Sequence, residues 1–307
     1  MSEGHGGGMG DMVRRPERRL SRRAFVRLTV GAALATTAAG AGGITYTSQI
    51  EPRWLDIERH TLTLPRLAPA FAGYRLVHLS DIHMDPWMTP ARFRDIVATT
   101  NALAPDLVAI TGDFVTAAAA QYAAPLAAVL RELRARDGVL ATLGNHDHWS
   151  DAAKVREALA AGSVRELDND LHVVRRGGDA LYLGGIDDHW EGKSRFDQVL
   201  NRLRSARDGR EDGAAILLAH EPDFADLSAA TGRFDLQLSG HSHGGQVRLP
   251  LAGPLILPPL GQKYPQGRYL VGEMIQYTSR GLGMVRPYVR FGCRPEITLF
   301  TLMSPRQ

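Results

Sequence analysis

Hydrophobic and polar positions along the chain fall into two alternating rhythms. From Tyr74 onward, short apolar runs of strand length alternate with stretches that repeat at helical spacing. Residues 75–79, 107–111 and 139–143 read as buried strands. Residues 90–103, 126–136 and 152–161 read as helices, the first with Pro90 in its first turn and the third capped by Ser150 or Asp151. Residues 171–175 and 180–183, divided by Gly177 and Gly178, predict a hairpin. A helix over 195–207, a strand over 214–219, a short helix from Pro222 and a strand over 236–239 continue the alternation. From Tyr269 the pattern turns to β and ends in a strand over 296–302. Repeated β-α units followed by hairpins predict an α/β fold with a mixed sheet system and helices outside. No internal repeat and no linker rich in Pro, Gly and Ser divides this region, so residues 45–307 are expected to form one domain.

Polar residues gather where the predicted strands stop. Ser80-Asp81-Ile82-His83 follows the first, Gly112-Asp113 the second and Gly144-Asn145-His146-Asp147 the third. His220 follows 214–219, and Gly240-His241-Ser242-His243 follows 236–239. The carboxyl edge is where α/β sheets build their sites. Any one of these fragments arises by chance, and His220 alone would read as a packed histidine. Together they supply Asp, Asn and His ligands enough for two metal ions. Carboxylate, imidazole and amide oxygen without thiolate suit divalent Mn, Fe, Zn or Co. Two ions about 3.5–4 Å apart can clamp a phosphoryl oxygen and make a hydroxide available near neutral pH.

Composition changes this picture mainly at the amino end. The 307 residues are 44% hydrophobic and 22% charged, ordinary globular values that exclude wholesale disorder. Apolar runs of spanning length do not recur, which excludes a polytopic membrane protein. The single cysteine, Cys293, excludes an internal disulfide and a cysteine-based zinc site. The formal charge of +3 is concentrated in the first 44 residues, where seven Arg face Glu3, Asp11 and Glu17. The other 263 residues carry 29 bases against 30 acids. A near-neutral domain argues against a stable nucleic-acid partner, which needs clustered Lys and Arg.

The sequence Ser21-Arg22-Arg23-Ala24-Phe25 resembles the twin-arginine export signal, S-R-R-x-F, and residues 28–44 after it carry no charge. Seventeen residues make a helix of about 25 Å, marginal for crossing a bilayer. Residues 1–44 are therefore expected to be an export signal or an N-terminal anchor. Ala39-Gly40-Ala41 offers an A-x-A cleavage site, and a basic amphipathic tail is the plain alternative. The resemblance implies the twin-arginine translocation machinery as a partner and a periplasmic or other extracytoplasmic location.

The ordered set D-x-H, G-D, G-N-H-D, H and G-H-x-H, running from Asp81 to His243, resembles the calcineurin-like metallophosphoesterase superfamily, with all five motifs intact. That resemblance implies an α/β/β/α sandwich of two mixed sheets and a centre of two divalent ions. Asp81, His83 and His243 would bind one ion and Asn145, His220 and His241 the other, with Asp113 bridging. His146 would face the scissile phosphate as general acid or transition-state stabiliser, and Asp147 would orient its ring. In-line attack by a bridging hydroxide would follow. His220-Glu221-Pro222, Gly244-Gly245-Gln246 and Arg290-Phe291-Gly292-Cys293-Arg294-Pro295-Glu296 resemble the bacterial YkuE/YaeI-type phosphodiesterase branch, whose members tend to carry an export signal or anchor.

Substrate signals are fewer. The expected substrate is an envelope, lipid or nucleotide-type phosphodiester. A phosphomonoesterase or nuclease on the same fold, or a non-catalytic scaffold, are the alternatives. Trp87, Trp149 and Trp190 trail the motif loops and suit either an aromatic rim or caps on the core. Asp187, Asp188 and His189 are placed to add polar contacts, whereas His148, His60 and His172 carry no signal and His78, mid-strand, reads as packed. Residues 249–260, LPLAGPLILPPL, hold four prolines and no charge directly after the last histidine motif. They predict an apolar loop rather than a strand. Such a loop suits contact with a membrane surface or a lipid-linked substrate, or folds onto the domain's own core.

Overall fold

A computed structural model describes residues 40–207 and 213–305. Contacts divide the chain between Thr45 and Tyr46. Of the first unit the described part is a short helix over 40–45, in which the Thr45 hydroxyl donates to the Ala41 carbonyl. The Ser21–Phe25 motif, Ala39 and most of the apolar stretch 28–44 lie outside the described residues. Among the described residues no helix is long and apolar enough to cross a membrane.

The second unit is built on two six-stranded sheets. The first holds β1 (Asp56–Thr63), β2 (Tyr74–Leu79), β3 (Leu107–Thr111), β4 (Val139–Thr142) and the two-residue β5 (Arg165–Glu166). The second begins with the hairpin β6 (Asp170–Arg176) and β7 (Asp179–Gly185), then β8 (Ala215–Leu218) and β9 (Leu236–Ser239). A separate two-rung hairpin, β10 (Arg248–Leu249) with β11 (Gly253–Pro254), follows. Strands β12 (Gly267–Val271) and β13 (Met274–Thr278) complete the second sheet, and β14 (Glu296–Met303) returns to the first. The orders are β1-β14-β2-β3-β4-β5 and β12-β13-β9-β8-β7-β6. Strands β2, β3 and β4 run parallel in one sheet, and β7, β8, β9 and β13 in the other.

Alternation along each strand sorts the side chains into layers. In β3, Leu107 and Ala109 face the space between the sheets, while Val108 and Ile110 face the helical layer of α1 (Pro90–Ala102), α2 (Ala119–Leu130), the short α3 (Asn145–Ser150) and α4 (Ala152–Ala161). In β8, Ile216 and Leu218 meet the inter-sheet core, while Ala215 and Leu217 meet α5 (Phe196–Arg207) and α6 (Ala225–Ala230). Three cores between four layers make the expected α/β/β/α sandwich.

Local differences from the sequence reading have physical causes. Helix α2 begins at Ala119, seven residues before the expected start, because the run of alanines there forms helix readily despite Pro125. Its first free N–H, that of Ala119, is taken by the Ser150 hydroxyl of α3 at 2.7 Å. Asp151, not Ser150, caps α4, accepting from Lys154 N–H at 3.1 Å. Strand β1 has no apolar alternation, since it is an edge strand whose residues, Leu62 apart, are half-exposed or exposed. Only its pairing with β14 defines it.

Candidate metal centre and active site

The strand-end motifs converge. Asp81 and His83 leave β2, Asp113 leaves β3, and His241 and His243 leave β9. The third motif opens α3 rather than a loop, with Asn145 as its first residue. Five of these residues, Asp81, His83, Asp113, His241 and His243, have φ between 50° and 67°. Left-handed backbone at a residue with a side chain costs on the order of 1–3 kcal/mol and persists where the surroundings fix it. Gly112 also has positive φ, +74°, and a Cβ there would lie 2.5 Å from His220 Nδ1 and 2.8 Å from Gly144 N. Only glycine lets β3, α3 and the His220 ring meet at this point.

One ligand atom each from Asp81, His83, Asp113 and His243 lie within 4.8 Å of one another, all buried. Asp113 Oδ2 sits 3.4 Å from His83 Nε2 and 3.2 Å from His220 Nε2, so a single carboxylate faces both halves of the constellation. On the second half, His241 Nδ1 meets Asn145 Oδ1 at 3.0 Å, and the His220 and His241 rings are 5.0 Å apart.

Ring orientations are set from behind. His220 Nδ1–H donates to the Thr111 carbonyl at 2.8 Å, and His241 Nε2–H to the Pro259 carbonyl at 2.8 Å. Thr116 Oγ1 lies 3.2 Å from His83 Nδ1. These contacts leave one nitrogen of each ring for a cation, the usual arrangement around metal-binding histidine. His220 Nε2 is buried without a hydrogen-bond partner, and His243 Nε2 faces His83 Nε2 at 3.1 Å and Asp81 Oδ1 at 3.4 Å. Ring nitrogens turned on carboxylates and on one another, with no donor to satisfy them, fit a divalent ion.

Electrostatics agree. Burial would raise the Asp113 carboxyl, but the His220 and His146 rings hold it well below the carboxylate range. Burial would lower His220 too, yet Asp113 and Asp81 push it well above its ordinary value. Asp81 is pushed up by burial and by the neighbouring Asp113 carboxylate, against the pull of His220. The carboxylates therefore favour positive charge at His83 and His220, a charge that a bound cation would supply instead, while burial lowers His241 and His243.

His146 is half-buried at the edge of this cluster, with its Nδ1 bonded to the Thr116 carbonyl at 3.0 Å. Its ring lies 4.8 Å from that of His83 and 4.7 Å from Trp149. The expected partnership with Asp147 is not what the structure shows. Asp147 Oδ1 accepts from Phe114 and Val115 N–H, and Oδ2 from Gly144 N–H. With both oxygens engaged by backbone donors, Asp147 braces the β3 and β4 loops, and Thr116 orients the ring. Nothing in the sequence marked Thr116, because its role is carried by a carbonyl and a hydroxyl.

A cavity of about 440 Å³ opens onto Asp113, Asn145, His146, His241 and His243. Trp149 and Trp190 line it, packed against His146 and His241 respectively and 5.5 Å from each other. Trp87 does not join them. It packs against the helix-side core beneath the Arg92 guanidinium, 4.0 Å from its ring. His148 pairs with Asp187 at 2.7 Å, and Asp188 N–H donates to Asp187. Glu221 takes the backbone N–H of His189 and Trp190, fixing the Trp190 loop beside the cavity. His78 is buried against Thr111 Oγ1 at 2.8 Å, as a packed residue.

Residues 74–245 match the model of the calcineurin-like phosphoesterase family. The chain belongs to that family. It is 35% identical over 290 residues to "Uncharacterized metallophosphoesterase YkuE" of Bacillus subtilis, covering 94% of this chain and 99% of the relative. It is 29% identical to "Phosphodiesterase YaeI" of Escherichia coli, covering 92% of this chain and all of the relative. A more distant relative, 26% identical over 90% of this chain and 98% of its own length, is "UDP-2,3-diacylglucosamine pyrophosphatase LpxG" of Chlamydia trachomatis. The protein is a metal-dependent phosphoester hydrolase.

Proposed function

We propose that the protein is a binuclear phosphodiesterase. Asp81, His83 and His243 would hold one divalent ion, Asn145, His220 and His241 a second, and Asp113 both. The observation that carries the diester reading is the cavity wall. Among the described residues Arg286 is the only Lys or Arg lining it, and most of the wall beyond the ligands is aliphatic or aromatic. A phosphomonoester brings nearly two negative charges to such a wall, at a large desolvation cost, whereas a diester brings one and an ester group to pack there. The name of the YaeI relative supports the same reading.

When bound, the metals would supply positive charge to the phosphoryl oxygens and lower the pKa of water at the site. Asp113 would fix the separation of the two ligand sets. His146 would serve the leaving oxygen through Nε2, since Nδ1 is committed to Thr116. Burial lowers its proton affinity, with His83 and His220 adding to this effect, while Asp113 and the Thr116 carbonyl raise it. An anionic substrate beside the ring would raise it further, so that the proton is picked up on binding and passed to the alkoxide.

The test is turnover of bis-p-nitrophenyl phosphate, p-nitrophenyl phosphate and a pyrophosphate diester, the last because one relative is named a pyrophosphatase. The diester should lead in kcat/KM by roughly tenfold or more, and a lead for the monoester would refute the reading. Export by the twin-arginine machinery to an extracytoplasmic location belongs to the same proposal and is supported by Ser21–Phe25. Replacing Arg22 and Arg23 by Lys should retain the protein inside the cell; unchanged fractionation would sink that part.

A further inference from the structure

The loop over residues 249–260 leaves the site and comes back to it. It departs from the turn His243–Gly245 and returns at Pro259, whose carbonyl holds His241. Between these ends it is ordered by hydrogen bonds. Strands β10 and β11 pair Arg248 with Pro254 and Leu249 with Gly253, and Leu255 N–H donates to the Val247 carbonyl at 3.0 Å. Gly245 (φ +83°) admits Pro254, whose Cβ would lie 2.5 Å from any Cβ added there.

This hairpin turns aliphatic side chains toward water. Leu251 and Ile256 are 110% and 80% exposed, and Leu249 and Leu255 41% and 57%. Four such residues within eight, on a fold with three well-filled cores, are not surplus core; contiguous exposed apolar surface beside a site marks contact with an apolar partner. The cavity at the metal centre extends along the same loop. Leu255, Ile256 and Pro258 line it, and Val285, Pro287 and Val289 add to its apolar lining. Its volume, about 440 Å³, falls within the range of sites that enclose whole small molecules. One part of the lining is therefore carboxylate, amide and imidazole, and the remainder is largely hydrocarbon.

We propose that this apolar part is a subsite for the hydrocarbon chain of an amphiphilic phosphodiester, the phosphate lying at the metal centre and the chain between the 255–258 and 285–289 segments. The proposal rests on the phosphodiesterase reading and gives it a substrate class. Trp149 and Trp190, packed against His146 and His241, would stand where the phosphate joins the chain.

The metal-loaded full chain would be assayed with methyl, butyl and octyl p-nitrophenyl phosphates, each below its micelle concentration. From methyl to octyl, kcat/KM should rise roughly tenfold or more, mainly through KM, because each methylene leaves water for the wall. Ile256→Asp should flatten the series. Binding is read separately from turnover by tryptophan emission, which octylphosphonate should shift at concentrations where methylphosphonate does not. A flat series in the wild-type protein, with the methyl diester still cleaved, overturns the subsite and leaves the phosphodiesterase standing. Loss of the methyl diester while p-nitrophenyl phosphate is consumed refutes the underlying reading instead. A flat series together with a dimer that Ile256→Asp dissociates assigns the hairpin to a second copy, and overturns the subsite as well.

Discussion

Asp113 is the residue on which both halves of the proposed metal centre would depend, and Asp113→Asn tests that dependence with little steric change. The amide keeps an oxygen for the His146 N–H, which now bonds to Asp113 Oδ1 at 2.9 Å, and removes one full charge. In the wild-type protein that charge lies 3.4 Å from His83 and 3.2 Å from His220. If two ions share this ligand as proposed, losing it should weaken binding by about 100-fold at least, the upper end of what changes behind the ligands cost. With metal at 100 times its dissociation constant, binding stabilises the wild type by about 2.7 kcal/mol; a 100-fold weaker site retains about 0.4 kcal/mol. The difference, about 2.3 kcal/mol, corresponds to roughly 5–9 °C for a domain of this size. Thermal unfolding with manganese and with chelator gives the shift directly, and metal analysis of the same samples gives the stoichiometry. The chelated proteins supply the baseline, because without metal the substitution relieves a repulsion at Asp81 and at the same time removes the carboxylate that attracts His220 and His83. A variant that keeps both its metal content and its metal-dependent rise in Tm would refute the shared position of Asp113.

His146→Ala should keep the metal content and lower turnover about 10²- to 10⁴-fold, the usual worth of a placed acid; full activity would remove His146 from the mechanism. His78 is pushed down to about 3 by burial alone. It is neutral in the fold and protonates near pH 6.5 when unfolded, so it favours unfolding progressively as pH falls from about 6.5 toward 3. His78→Gln should reduce the acid slope of stability by about 1.4 kcal/mol per pH unit over that interval, and an unchanged slope in urea titrations would contradict its neutrality.

Much of the site was legible because strand ends concentrate it: each apolar run in the sequence delivered its Asp, Asn or His at a position that the sheets bring together. The layer structure was legible for a related reason, since Val108 and Ala109 differ only in which face the pleat gives them. Edge and orientation were not legible. Strand β1 takes its register from β14, more than two hundred residues away, so no local pattern defines it. Trp87 and Trp149 both follow histidine motifs, and only packing separates a core residue from a rim residue. Asp147 illustrates the same limit, because the donors that engage it are backbone groups without identity in the sequence.

Strand β14 lies inside the first sheet, parallel to β1 on one side and antiparallel to β2 on the other. During synthesis, β2 therefore waits for one of its two neighbours until residues 296–303 have emerged. Between Leu79 and Glu296 a ribosome adding 5–20 residues per second needs about 10–40 s. Over that interval Leu76 and its neighbours on β2 have an open edge, a hazard for pairing with other chains. Removing only residues 296–303 would accordingly strip out an interior strand rather than trim an end, and leave β1 with no partner in the sheet.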